Sequence, residues 1–363
     1  MLLTSLRRQP LHTERMASQI RDSEWLAWVA SLMGGTSRQT CVSAYPSDRF
    51  YCLLDELPLH LIPQQMLSSL RYGNQRREEL SLNPLCQILR DGEVPAELVA
   101  STELLKDFAL QGTIAWVRQP ETGAFGPFWL GSKLTEVVDE RTAACSKLAR
   151  LSDVDSRLVT TAGILTSLRE SEQRKERWRT QIARSAEMFH QRGYAPLRNL
   201  LHPFHVAALR RYYRHMIRTG RVYLGDNQSA RRYVAHNESV TRFFHSQIAT
   251  AVSEVVGEPV KPSYVYLASY LGGAELKKHT DREQCEFSVT LCLDFSPEPA
   301  HQTSWPIRLD TPRGSVTVYQ ALGDGLVYRG TRVPHYRDPL PQGQTSTSIF
   351  FHYVPLDFSG PLN

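Results

Sequence analysis

From Pro262 onward, branched and aromatic residues come in short runs that Pro and Gly keep interrupting. Tyr264–Tyr270, Glu286–Leu293, Val316–Tyr319, Leu326–Tyr328 and Ser346–Val354 read as strands. Pro or Gly falls at 297, 299, 306, 312, 314, 323, 325, 339, 341 and 343. Several short strands with such turns predict a sandwich or jelly roll. Helices front it. Gly193–Leu201 (GYAPLRNLL) reads as a short strand, and Pro203 opens a helix with Val206, Leu209, Tyr213 and Ile217 on one face, ended by Gly220. After the polar segment Gly225–Glu238, Asn237 is placed as the N-cap of a helix through Val240, Phe243, Phe244 and Ile248.

Upstream, 154–188 reads as a polar connecting helix whose charges, dense over Arg169–Arg184, form a solvated face. Residues 1–153 read as a mixed, mostly helical N-terminal domain of unassigned role. Ser23–Leu32 and Leu61–Leu70 have helical spacing, while Trp116–Trp129 reads as two short strands around a Glu-Thr-Gly turn. The fold class is therefore α+β, with a β domain at 189–363. At 363 residues the chain is long for one core. It has no run of about 18 apolar residues, which argues against a membrane span, and MLLTSLRRQPLHTER is too short in apolar residues for a secretory signal. A net charge of +5 is too small to imply nucleic acid. The six cysteines, 41, 52, 86, 145, 285 and 292, form no C-x-x-C, so reduced thiols in a cytoplasmic protein are expected.

Within the β region, His279-Thr280-Asp281 puts an imidazole and a carboxylate two positions apart, hence on one face of a strand. His335 follows at the end of another strand region. Two His and one carboxylate on one octahedral face leave three coordination positions open, the facial triad of non-haem Fe(II) oxygenases. The triplet alone is weak. With 12 His and 37 acidic residues, roughly one H-x-[DE] is expected by chance, and a second one exists, His236-Asn237-Glu238. That one reads as a helix N-terminus where the dipole favours Glu238.

The flanking residues add to the triplet. Tyr270-Leu271-Gly272-Gly273-Ala274-Glu275-Leu276-Lys277-Lys278-His279-Thr280-Asp281 resembles the Y-x-x-G-x-x-[FY]-x-x-H-x-D run of prolyl-4-hydroxylase-like 2-oxoglutarate/Fe(II) dioxygenases, with Leu276 in place of the usual aromatic. Gly323-Asp324-Gly325-Leu326-Val327-Tyr328 resembles the strand that leads to the family's second histidine, here His335, and GYAPLRNLL is similar to the superfamily's opening strand. The resemblance covers about residues 189–358 and implies a double-stranded β-helix. It implies Fe(II) held by His279, Asp281 and His335, with 2-oxoglutarate and O2 as co-substrates. It also implies hydroxylation of an unactivated C–H of an amino-acid, peptidyl or natural-product substrate, releasing succinate and CO2.

One departure stands out. The family places a basic residue about ten positions after the second histidine, and 343–347 (GQTST) contains none. A buried carboxylate without a cation is costly. Arg337, on the face of His335 if the strand is regular, is the first substitute; Lys277, two before His279, is the second and Arg329 the third. Tyr270 is expected to hydrogen-bond the co-substrate by resemblance, with Ser346 and Ser348 assisting from the last strand. For the substrate, Arg231, Arg232, Tyr233, His236 and Asn237 lie in a segment suited to a loop over the site mouth, and Arg282 follows Asp281. His352 is expected to support the site rather than ligate. The rival reading is a jelly-roll binding or sensing module that keeps the metal but not 2-oxoglutarate turnover. A small-molecule or peptide partner is expected, and neither a membrane nor nucleic acid.

Overall fold

The structure is a computed structural model that describes residues 45–67, 80–119, 122–139 and 152–362. Ser23–Leu32, Cys41 and Cys145 lie outside these residues. The chain divides into two compact units, Met1–Ala44 and Tyr45–Asn363, and all of the described residues belong to the second.

In the second unit, 3-10 turns at Leu54–Glu56 and Leu59–Leu61 precede a helical turn α1 (Gln64–Leu67) and strands β1 (Ser81–Leu82), β2 (Cys86–Arg90), β3 (Thr113–Arg118) and β4 (Phe125–Leu130). β2, β3 and β4 form an antiparallel sheet, and the β3–β4 hairpin is the one expected at Trp116–Trp129. Helices α2 (Ser132–Asp139) and α3 (Asp153–Thr161) and strand β5 (Leu165–Thr166) follow. The described part of 1–153 is thus built on strands and 3-10 turns more than on helices. It also belongs to the same compact unit as the barrel. The reason is aromatic packing. Phe50 meets Phe108, Trp129, Tyr212 and Phe244 edge-on, and Trp116 meets Phe243.

The expected connecting helix is two helices. α3 stops before the β5 segment, which pairs with β1. α4 (Leu168–Arg192) restarts where the Ser167 hydroxyl accepts from the Glu170 N–H and ends at Gly193, φ +79°. Next come β6 (Tyr194–Leu197), α5 (Pro203–Arg218), β7 (Tyr223–Leu224), β8 (Arg232–His236), α6 (Ser239–Gln247) and α7 (Ala249–Val256). Glu238, not Asn237, caps α6: its carboxylate accepts from the Val240 and Thr241 N–H groups. Asn237 takes a left-handed φ of +51°, and its side-chain oxygen accepts from Val265 N.

Eight strands complete the chain: β9 (Val260–Leu271), β10 (Leu276–His279), β11 (Phe287–Ser296), β12 (Ile307–Thr311), β13 (Gly314–Val318), β14 (Gly325–Arg329), β15 (His335–Arg337) and β16 (Thr345–Pro355). They wind between two antiparallel sheets. The larger has the order β6-β14-β11-β16-β9-β8-β7 and the smaller β10-β15-β12-β13. This alternation is a double-stranded β-helix, the jelly roll that the strand count suggests. α4 and α7 cover the larger sheet, burying Ile182, Phe189, Val252, Val255 and Val256.

Two histidines of α5 and α6 are buried and neutral. His205 contacts Pro127 O and His245 contacts His352 O. Burial pulls their pKa values down to about 4 and about 3. An unfolded imidazole titrates near 6.5, so the unfolded chain binds more protons between that value and the folded ones. The stability these sites contribute is complete above pH 6.5 and is lost as pH falls toward 4. Lowering a pKa by one corresponds to about 1.4 kcal/mol. The melting temperature is therefore expected to be flat above neutrality and to drop steeply through the mildly acidic range in circular-dichroism melts. A flat profile down to pH 4 would contradict this burial.

Candidate metal centre

His279 ends β10, Asp281 follows just past it, and His335 begins β15. β10 and β15 are antiparallel neighbours, and His279 and His335 are direct register partners. That pairing brings the two rings to 4.3 Å between centroids. Asp281 Oδ1 lies 3.6 Å from His279 Nε2 and 3.5 Å from His335 Nε2. One donor atom from each of the three residues falls within 4.8 Å of the others.

The tautomers suit ligation. His279 Nδ1 lies 2.7 Å from Lys277 O and His335 Nδ1 lies 3.1 Å from Val333 O. A carbonyl only accepts, so in the neutral rings Nδ1 carries the proton and Nε2 keeps its lone pair toward Asp281; when His279 is protonated, its Nε2–H donates to the carboxylate instead. Burial alone would raise the Asp281 carboxyl, but hydrogen bonds from His279 and Ser288 and the nearby imidazoles of His352 and His335 hold it well below the usual range. His279 is raised, chiefly by its hydrogen bond to Asp281, while burial lowers His335. An ionised carboxylate and two imidazole lone pairs at one point are a donor set for a divalent transition metal.

Residues that the sequence does not single out hold this group in place. Ser288 Oγ donates to Asp281 Oδ2 at 2.7 Å and lies 2.9 Å from His352 Nδ1. Gly330 O accepts from the Asp281 N–H. A Cβ at Gly330 would lie 2.4 Å from Asp281 Oδ2 and 2.6 Å from Ser288 Oγ. Gly330→Ala is accordingly expected to push the carboxylate off its partners. Disturbing such supporting contacts typically weakens metal binding about 10–100-fold, and a metal titration of the purified variant reads it. Unchanged affinity would mean that the backbone yields instead.

Beside the three residues lies a cavity of about 510 Å³, lined among others by Arg232, Tyr264, Tyr266, Tyr270, Tyr328 and Phe350. Of the residues expected to face substrate, Arg232, His236 and Arg282 line it, whereas Arg231 and Tyr233 are not on its wall. Arg231 instead donates to Gly272 O. Arg282 spans the Tyr264 ring at 5.3 Å and donates to its hydroxyl at 3.2 Å. The Gly225–Glu238 segment is not all loop, since 232–236 forms β8 and only the stretch before it turns beside the cavity.

The candidates for a co-substrate carboxylate separate clearly. Lys277 is exposed and off the cavity wall, because the β10–β15 register shifts between Leu276 and His279 and breaks the two-residue alternation. Arg329 pairs with Glu286 at 3.3 Å. Arg232 lines the cavity but is held by Asp226, Gln228 and the Tyr270 hydroxyl. Arg337 is 4% exposed, with no carboxylate partner among the described residues. Its Nη1 and Nη2 donate to Trp305 O and Gln320 Oε1, and its Nε has no partner. Ser348 Oγ is likewise buried and unpartnered. The two share a neighbour: Cys292 is the register partner of Ser348 and feels the Arg337 charge. Neither lines the cavity wall. Arg337 lies against Trp305, whose ring meets Tyr270 on that wall at 5.0 Å.

No protein-family profile matches the chain, and no curated protein matches it. Among solved structures it is similar to a Pseudomonas putida prolyl-4-hydroxylase, 18% identical over 47% of this chain and 98% of that one, TM-score 0.38. It is also similar to the non-haem alpha-ketoglutarate-dependent epimerase SnoN of nogalamycin biosynthesis, 13% identical over 48% and 82%, TM-score 0.41. A third is a Trichoplax adhaerens prolyl hydroxylase bound to a fragment of the hypoxia-inducible-factor oxygen degradation domain, 12% identical over 49% and 92%, TM-score 0.40. The likeness is distant, and the functional reading rests on the site's own geometry.

Proposed function

We propose that this chain is an Fe(II)- and 2-oxoglutarate-dependent oxygenase that hydroxylates an unactivated C–H of an amino-acid, peptidyl or natural-product substrate. The observation that carries the reading is the convergence of His279, Asp281 and His335 with both Nε2 lone pairs turned inward. The donor set fits a ferrous ion that keeps open positions. The buried Arg337 cation, with its Nε unpartnered, and the unpartnered Ser348 hydroxyl, which shares Cys292 with it as a neighbour, fit the distal carboxylate of the keto acid. Burying that charge without an anion is costly, so a dicarboxylate would satisfy what the protein alone leaves open.

In this reading His279, Asp281 and His335 bind the metal, Arg337 and Ser348 orient 2-oxoglutarate, and Tyr270 forms the wall between them. Arg232, His236 and Arg282 face the substrate. When bound, iron with 2-oxoglutarate and dioxygen supplies the oxidising chemistry, with succinate and CO2 as co-products. The chain's residues fix the geometry and, with Tyr264, Tyr266, Tyr328 and Phe350 around the site, limit water. The four described cysteines are free thiols, in keeping with a reducing cytoplasm. No helix among the described residues is long and apolar enough to cross a membrane.

Succinate formation from 2-oxoglutarate, measured with and without Fe(II), tests the proposal. Fe(II)-dependent succinate is expected, and a substrate screened by mass should gain one oxygen. Metal binding with no succinate under any condition would favour the binding or sensing module.

A further inference from the structure

Asp281 is shared by a second group of donors. Asp281, Cys285 and His352 each offer one ligand atom, and these atoms lie within 4.8 Å of one another. Asp281 Oδ1 faces His279 and His335, while Oδ2 faces Ser288 and, through it, His352. Cys285 is fully buried and His352 6% exposed. The Tyr264 hydroxyl lies 3.1 Å from Cys285 Sγ, and Tyr264 and His352 both line the cavity, so an ion can reach the group from there.

We propose that Cys285, His352 and Asp281 form a second site, selective for a thiophilic divalent cation of the zinc type, whose occupancy weakens ferrous binding at the neighbouring triad. Thiolate and imidazole donors favour zinc-like ions, whereas the triad, lacking sulfur, does not discriminate in that way. Two dications sharing one carboxylate repel each other and divide its charge. The inference rests on the proposed ferrous site only through Asp281. It makes the oxygenase sensitive to zinc by a route other than displacement at the triad.

The test uses the metal-free full chain with reduced thiols, and Co2+ as the probe. Wild type is expected to take two equivalents and show the near-ultraviolet sulfur-to-cobalt charge-transfer band. Cys285→Ser should take one equivalent and lose the band, whereas a His279→Ala/His335→Ala double variant should take one and keep it. Zinc at one equivalent should weaken Fe(II) binding about tenfold more in wild type than in Cys285→Ser, where only direct competition at the triad remains. Should Cys285→Ser fail to fold, His352→Gln must lose the band instead. A wild type without the sulfur band, or a band that survives Cys285→Ser or His352→Gln, overturns the proposal. The two readings fail separately: one equivalent without sulfur character leaves the oxygenase standing, while a sulfur band with the triad never filling removes the oxygenase and keeps this site.

Discussion

Asp281→Ala or His279→Ala is expected to abolish Fe(II)-dependent succinate formation while leaving the fold largely intact. Each removes one of the three donors that meet within 4.8 Å of one another, and with it a third of the proposed ligand set. Asp281 has the larger effect. Its loss removes the carboxylate between the two imidazoles and leaves the Ser288 hydroxyl only its His352 contact. Circular dichroism should show an unchanged spectrum, because both residues lie at the end of a short edge strand and not in the core. Turnover retained in either variant would rule out the triad as the metal site.

The second large effect is expected at Arg337. Arg337→Gln should raise the KM for 2-oxoglutarate while Fe(II) affinity stays near wild type, since the guanidinium touches none of the three donors. A hydrogen bond to a charged group contributes about 1.5–3 kcal/mol, which corresponds to roughly 10- to 150-fold in KM. Arg337→Lys should recover part of the loss by restoring charge without the planar fork. Stability will fall as well, because Arg337 also ties Trp305 O to Gln320. A KM that does not move would transfer the co-substrate's carboxylate to Arg232, the cation already on the cavity wall.

How legible each segment is in the sequence depends on what it buries. The long strands of the larger sheet, β9, β11 and β16, are rich in Tyr, Phe, Val and Leu, and their composition marks them nearly to their ends. Of the smaller sheet, β13 is marked by Val316–Tyr319, but the other three strands are short and partly charged: LKKH, IRLDT and HYR. Their composition gives no strand signal, although two of them carry His279 and His335. Spacing and the flanking residues single out the histidines instead. Two-residue alternation from His335 points to Arg337, and it holds because β15 is regular. The same rule fails for Lys277, because β10 shifts register and a shift leaves no mark in composition. Ser288 and Gly330 cannot be found by residue type, since serine and glycine are common. The alternation along β11 places Ser288 on the inward face with Thr290, but only the fold shows that Asp281 lies opposite. The helical character expected for 1–153 follows local spacing at Leu61–Leu70, where the structure describes only the turn Gln64–Leu67 as α-helix. Nearby, Phe50 and Phe108, together with Trp116 of β3, pack on Tyr212, Phe243 and Phe244, far away in sequence.

The most direct test of the central claim is an anaerobic titration of the metal-free protein, first with Fe(II) and then with 2-oxoglutarate, followed by visible absorption. A ferrous ion on His279, Asp281 and His335 that chelates the keto acid through its open positions predicts a weak charge-transfer band that needs both additions and is absent from His335→Ala. If the band never forms, or forms equally well in His335→Ala, then these three side chains do not hold the reacting metal.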